Sequence, residues 1–409
     1  MSTIHAFTSP ARGHIYPLTP ILRELRRRGH RVRVWTLASE LEPLRALGLE
    51  AEPISPAIEA LPIEDWQTSK PAEGARLFFD RVLERGTHEV ADLNAALALE
   101  RPDLIITDIN CLGAQAAAQA SGIPWATFSP YFSWYRDERI PAFGPGMAPM
   151  RGPVGRLRDN LVWKAVSGGL DKNHLGPLND LREAVGAPGL GSMQEIWTQP
   201  PLLLYMTVPE LDYPRPNMPA SWRMVGPCRW EPPAPTPRWL AEIDKPLVLV
   251  TASTEYQADE RLIETALEAL AGEDVSVVAT TAGNDPAAFE VPANARVERF
   301  LPHAPLLERA EVVVCHGGMG ITQKALAAGV PICTVGWGRD QLESGRRTEV
   351  AGAGILLPRK RLGVGPLRGA VRKARLRRDG AERIAAALAA APGPAGAADE
   401  LEQLLPVAV

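Results

Sequence analysis

At 409 residues the chain is long enough for two or three domains with sizeable cores. A formal net charge of −4 provides no basic stripe for nucleic acid or an anionic membrane, so small molecules are the expected partners. Cys111, Cys228, Cys315 and Cys333 form no C-x-x-C pair, which argues against a zinc site and a disulfide framework and fits a reducing cytoplasm. Arginine outnumbers lysine by 37 to 7, a coding bias with little functional weight.

The N-terminus runs straight into a strand pattern, Thr3 to Thr8, with no basic n-region or h-region before it. No apolar run reaches the ~18 residues of a membrane span, so neither export nor stable membrane insertion is expected. The segment "SPARGHIYP" follows, with His14 expected in a loop and Pro17 near the start of a helix. In that helix Leu18, Ile21, Leu22 and Leu25 share one face and Arg23, Arg26 and Arg27 cover the other, before Gly29 closes it. Strand-like runs at 31–36, 104–107 and 124–129 alternate with helical patterns, the signature of a parallel α/β sheet. Between Tyr131 and Trp222 the pattern degrades into aromatic, Pro, Gly and Met-rich sequence that reads as long loops and irregular helices.

Prolines cluster over 213–240, and a second alternation follows at 246–251, 275–280, 295–299, 312–315 and 332–335. The expected organisation is an N-terminal Rossmann-like domain over 1–212, a stiff linker over 213–240, a second Rossmann-like domain over 241–390 and a tail over 391–409. The Ala-rich tail reads either as a helix docking back on the body or as a frayed end.

Two such domains would set the carboxyl ends of two sheets on either side of a cleft, where ligands bind in these folds. At one strand end "CHGGMGITQKALAAG" delivers His316, Gly317, Gly318 and Gly320 and then a helix N-terminus. Free amides, the helix dipole and bare backbone suit a phosphate or diphosphate, with His316 as an added donor. A plain strand-to-helix turn with a capping histidine is the alternative. The spacing is not G-x-G-x-x-G, and no P-loop lysine is present. In the first domain, "DLIITDIN" ends a strand at Asp108. Parallel strands open on one edge, so a His14–Asp108 hydrogen bond could fix the imidazole tautomer for a general base acting on an alcohol. Taken singly, His14 reads equally as a solvated loop residue and Asp108 as a helix N-cap. With no D-x-D motif or His/carboxylate cluster, no metal site is expected; G-x-S-x-G is also absent.

Together these segments resemble the GT-B glycosyltransferases that decorate natural products, a family including plant UDP-sugar transferases and bacterial macrolide and antibiotic glycosyltransferases. The resemblance rests on "ARGHIYPLTPILRELRRRGHRV", on "RPDLIITDINCLGAQAAAQASGIPWATFSP" and, most specifically, on "RFLPHAPLLERAEVVVCHGGMGITQKALAAGVPICTVGWGRDQLESGRRTEVAGAG". It implies a metal-independent, inverting transfer with no cofactor beyond a nucleotide-sugar co-substrate, His14 as base and Asp108 as its orienting carboxylate. It assigns the donor to Thr254, Phe300, His303, His316, Gly317, Gly318, Gly320, Thr322, Lys324, Asp340 and Gln341. His316, Gly318, Thr322 and Thr254 would meet the diphosphate, Phe300 the base, and Asp340 with Gln341 the sugar hydroxyls.

Two departures bear on the donor. Ile321 stands where serine or threonine is common, and Lys324 replaces a glutamate that serves the ribose in UDP-sugar members, which favours a dTDP-deoxysugar. Trp66, Phe78, Phe79, Tyr131, Phe132, Trp134, Tyr135, Phe143 and Met147 would supply an apolar pocket for a hydrophobic, polyketide-like aglycone, with some of them in the core. The expected state is a monomer or homodimer. Two rival readings are a GT-B nucleotide-sugar epimerase and a non-catalytic homologue that assists a partner transferase.

Overall fold

The computed structural model describes residues 1–406 except Ser69, Arg139 and Tyr256, so the last three residues of the tail at 391–409 lie outside it. The first sheet comprises β1 (Thr3–Phe7), β2 (Arg31–Thr36), β3 (Glu50–Pro53), β4 (Leu104–Asp108), β5 (Trp125–Ser129), β6 (Leu203–Tyr205) and β7 (Trp222–Met224). Its spatial order is β3-β2-β1-β4-β5-β6-β7. The second comprises β8 (Leu247–Thr251), β9 (Ser276–Thr280), β10 (Ala295–Glu298), β11 (Ala310–Cys315), β12 (Ile332–Thr334) and β13 (Gly354–Leu356), ordered β10-β9-β8-β11-β12-β13. Every pairing in both is parallel. Central strands such as β4, β5 and β8 are buried along their whole length, as helices on both faces require.

The direction of winding reverses between β1 and β4 in one sheet and between β8 and β11 in the other. Loops leaving those four strands therefore line each domain's crevice. Three of these strands lead to His14, Thr254 and His316 and β4 itself ends at Asp108, so the topology gathers residues far apart in the chain.

His14 is not in a loop: it is the third residue of the helix Arg12–Arg27, which starts well before Pro17. Pro17 and Pro20 both lie inside that helix. They forgo two backbone hydrogen bonds, but their fixed φ is helical and the apolar face compensates, because Leu18, Ile21, Leu22 and Leu25 are all fully buried. Gly29 takes φ 91° beyond the end, a left-handed position that favours glycine.

The Pro-rich stretch 213–240 contains β7, which is the edge strand of the first sheet. The irregular region beyond Tyr131 includes a 19-residue helix, Gly152–Leu170. The helix Gly393–Glu402 packs on Arg12–Arg27, burying Ala397, Ala398 and Leu401 in the first domain's core. Arg28 reaches Asp399 at 2.6 Å and Glu402 at 2.7 Å across this contact. No helix among the described residues is long and apolar enough to cross a membrane.

Buried charge joins the domains. Arg347, on the helix Gln341–Val350, contacts Asp212 of the first domain at 2.8 Å and Glu343 of its own helix at 2.6 Å. Its guanidinium also lies 4.6 Å from the Phe132 ring centroid and 4.3 Å from that of Tyr213. The other oxygen of Glu343 accepts the amides of Gly144 and Gly146, both at 2.9 Å. The loop carrying Phe143 and Met147 is thereby fastened to the helix that begins at Gln341.

Candidate active site

On the first sheet's edge, His14 Nδ1 sits 2.8 Å from Asp108 Oδ2. The same carboxylate oxygen accepts from Ser9 N and Ser9 Oγ, and the other accepts the Asn110 amide at 2.8 Å. Asp108 is fully buried, whereas His14 keeps an exposed edge. A carboxylate at Nδ1 places the proton of a neutral imidazole there and leaves the Nε2 lone pair free. Burial opposes the charge on His14, but Asp108, with Glu255 and Asp340 across the cleft, outweighs it and raises the pKa above the ordinary value.

On the facing edge the helix Met319–Ala327 starts at Gly318 without a side-chain cap, so no side chain satisfies its first-turn amides. His316 lies beneath this turn, 7 % exposed, with no hydrogen-bond partner at Nδ1. Burial, followed by the charge of Arg339, pushes it down to about 4. In this state it is neutral and can donate a hydrogen bond without bringing charge. Glycine at 318 is a steric requirement, since a Cβ there would lie 2.3 Å from His316 Nε2. At Gly317 the backbone has φ 95°, and at Gly320 a Cβ would meet open space, so only Gly320 leaves room for a group above the helix start.

Other donor-side residues divide by exposure. Thr254 is exposed after β8, and Phe300 is 60 % exposed after β10, a large apolar ring left open. His303 opens a short helix with Nε2 3.2 Å from Thr280 Oγ1, and burial with the charge of Lys324 lowers it to about 4. Asp340 is half-buried and acts electrostatically on His14 from across the cleft.

Two residues are engaged elsewhere. Thr322 is 1 % exposed and its Oγ1 accepts from Ser344 at 3.2 Å, because it lies one turn inside the helix, where its amide already bonds Gly318 O. Gln341, also 1 % exposed, spends its carbonyl on the amides of Trp337 and Gly338 and its NH₂ on Gln257. Both side chains are buried and already have protein partners.

Lys324 is bound to Glu231 at 2.6 Å, and Glu231 also accepts the Ala304 amide. Arg339, in the left-handed region at φ 52°, bridges Asp65 at 2.9 Å and Glu255 at 3.1 Å, fastening the turn that carries Trp66 to the second domain. Sequence reasoning missed both partners, whose only signal is three-dimensional.

The aromatic residues form a row of edge-on contacts: His14 to Tyr131 at 5.9 Å, Tyr131 to Trp197 at 6.0 Å, Trp197 to Trp134 at 5.9 Å and Trp134 to Phe79 at 5.8 Å. Phe78 packs on Phe79 at 5.3 Å. Trp66, Phe78, Tyr131, Tyr135, Phe143 and Met147 are half-buried and keep open surface. Phe132 and Trp134 do not: Phe132 is fully buried beneath Arg347, and Trp134 is closed between Phe79 and Trp197. The cavity between Trp134, Tyr135, Phe143 and Trp163 measures only about 10 Å³, room for roughly one water. That cavity is too small for a ring-sized ligand.

Two parallel-sheet domains facing each other across such a cleft define the GT-B fold. Among solved structures, the calicheamicin glycosyltransferase CalG4 superimposes with a TM-score of 0.77 at 21% identity, over 99% of this chain and 98% of that one. The spinosyn rhamnosyltransferase SpnG complexed with thymidine diphosphate gives a TM-score of 0.71 at 17% identity, over 98% and 100%. Residues 264–404 match the C-terminal domain of the erythromycin biosynthesis protein CIII-like family. A 4'-demethylrebeccamycin synthase of Lentzea aerocolonigenes is 35% identical over 384 residues, which span 89% of this chain and 90% of the relative. The chain belongs to the natural-product glycosyltransferases of GT-B fold.

Proposed function

We propose that this glycosyltransferase moves a sugar from a nucleoside diphosphate to a hydroxyl of a hydrophobic, polyketide-like aglycone, with inversion at the anomeric carbon and His14 as general base. The observation that carries the reading is the His14–Asp108 pair at 2.8 Å, facing Asp340 across the cleft. His14 Nε2 takes the hydroxyl proton, the oxygen attacks the anomeric carbon, and the electron pair of the broken bond leaves on the diphosphate. Asp108 stabilises the imidazolium that forms. Incubating candidate aglycones with a panel of nucleotide sugars and weighing the products tests the reading. A glycoside one sugar heavier supports it, whereas a sugar epimerised without aglycone, or no reaction unless a partner protein is added, replaces it. The four unpaired cysteines fit a cytoplasmic location.

In this reading the leaving diphosphate is met by the uncapped start of Met319–Ala327 and by His316, which becomes easier to protonate once an anion lies beside it. No step is assigned to a metal. Turnover is expected to persist in EDTA; complete loss on chelation, restored by Mg²⁺ or Mn²⁺, overturns this assignment.

The donor is a dTDP-activated deoxysugar in preference to a UDP-sugar. Lys324 offers only N–H donors, and the Glu231 carboxylate beside it is already held by Lys324 and the Ala304 amide. A deoxyribose lacks one of the hydroxyls such a carboxylate would hold. Losing a charge-assisted hydrogen bond costs ~1.5–3 kcal/mol, roughly tenfold to a hundredfold in affinity. Calorimetric titration is expected to show dTDP binding more tightly than UDP by up to that factor. Equal affinities, or tighter UDP binding, end the idea.

A further inference from the structure

Asn110 has no part in the mechanism above, yet the architecture of the catalytic edge converges on it. Its backbone amide donates to Asp108 Oδ1 at 2.8 Å, so one carboxylate fixes both Asn110 and His14. Tyr131 donates its hydroxyl to Asn110 Oδ1 at 2.7 Å, which turns the amide's NH₂ end toward His14. Nδ2 then lies 3.5 Å from His14 Nε2. That separation is too long for a good hydrogen bond between the two nitrogens. It suits two nitrogens that each contact one oxygen placed between them at ordinary distances of about 2.8–3.0 Å.

We propose that His14 Nε2 and Asn110 Nδ2 form a two-point seat for the attacking hydroxyl oxygen of the aglycone, which makes Asn110 a second catalytic residue. The inference rests on the glycosyl-transfer reading. The hydroxyl donates its proton to Nε2 while Nδ2–H donates to its oxygen. As the O–H bond breaks, the proton passes to His14, and the oxygen's electron pair forms the bond to the anomeric carbon. The sugar–phosphate bond breaks with its pair going to the nucleoside diphosphate, and the imidazolium later releases its proton to water. Nδ2–H is aimed where negative charge grows on oxygen, and Tyr131 holds it there in advance, so little reorganisation is needed during reaction. The seat selects for an acceptor that presents one unhindered hydroxyl beside an apolar body, since Tyr131 forms one wall and opens the aromatic row.

Three variants test the seat, each measured for turnover, for acceptor KM and for binding of nucleoside diphosphate. Asn110→Ala is expected to lower turnover by about 10²-fold, the lower end of the loss on removing an oxyanion donor. Asn110→Asp keeps the shape but cannot donate, so it should be at least as damaging. Its added carboxylate joins Asp108, Glu255 and Asp340 around His14, with the Tyr131 hydroxyl facing the same group, and moves the acid limb of the pH–rate profile upward. That shift follows from a charge beside Nε2 whether or not Asn110 holds the hydroxyl, so turnover and nucleotide affinity carry the test. Tyr131→Phe frees the amide to flip and should cost about tenfold, a partial loss of the same donor. Nucleoside diphosphate affinity is expected to stay at the native level throughout.

Native turnover in Asn110→Asp overturns the seat, as does a loss in Asn110→Ala matched by an equal loss of nucleotide affinity. If both Asn110 variants fail to fold, Tyr131→Phe decides, and native turnover there is the overturning result. His14→Ala run alongside separates the two ideas. An active His14→Ala removes the base, whereas a crippled His14→Ala beside an active Asn110→Asp removes only the seat.

Discussion

Replacing His14 by alanine lowers turnover by ~10²–10⁴-fold, the range for losing a general base, while nucleoside diphosphate binds almost as before. The split follows from position: His14 stands on the first sheet's edge, and the anion-binding turn at Gly318 belongs to the second. Native-like turnover in the variant would remove His14 from the mechanism. The pH dependence gives a second reading of the same group. Asp108 raises the His14 pKa, and only the neutral imidazole can accept a proton. Activity should therefore be complete well above that pKa and fall as pH drops through it, with the acid limb lying above the ordinary histidine value of about 6.5. Asp108→Asn removes the charge that raises the pKa, so the limb should move to lower pH even as turnover falls. A limb that stays in place would show that another group titrates.

Arg347→Ala is expected to destabilise the folded protein by about 3–5 kcal/mol, the cost of breaking a buried ion pair from one side. The side chain is almost completely buried and serves two carboxylates on different domains, Asp212 and Glu343. Burial works against the Asp212 charge, but Arg347 and Arg215 overcome it and hold the group down at about 2. Without Arg347, Glu343 loses its buried cation and Asp212 keeps only Arg215. The pH sign follows. A carboxyl depressed to about 2 stabilises the fold above its unfolded value near 4, and that contribution is lost as pH falls from about 4 to about 2. Urea denaturation at neutral pH measures the loss. An unchanged midpoint would mean that the Arg347 ion pairs contribute nothing to stability and that the other contacts hold the domains together.

Much of this fold was legible because its strong signals are local. The stripe Leu18, Ile21, Leu22 and Leu25 announced a helix, and the long apolar runs announced the central strands. Three short strands escaped: β6, β7 and β13 have three residues each, too few to show a period, whereas the equally short β12 was marked by the apolar run at 332–335. The candidate site divides in the same way. Parallel topology implied that His14 and Asp108 would meet at one sheet edge, and they do, although His14 stands on a helix rather than in the expected loop. Sequence could not say that Gln341 and Thr322 spend their polar atoms on the protein, because their partners come from other elements. Nor could it pair Arg339 with Asp65, 274 residues away, or Lys324 with Glu231, 93 residues away. Among the aromatics, composition cannot separate Phe132 from Tyr131; only packing puts one beneath a guanidinium and the other beside His14.

The return of the tail helix to the first domain means that the backbone crosses between the domains twice, once after β7 and once after the helix Arg378–Ala390. The crossings are tied to each other. The Gly393 amide donates to Val225 O at 2.7 Å, and a Cβ at Gly226 would come within 2.3 Å of the Ala391 methyl. Two covalent straps knotted at one place make a common pivot. The two crossings therefore tether the halves to each other at one place rather than at two separate ones. That closeness requires small residues at 226 and 391, outside the catalytic edges of both sheets.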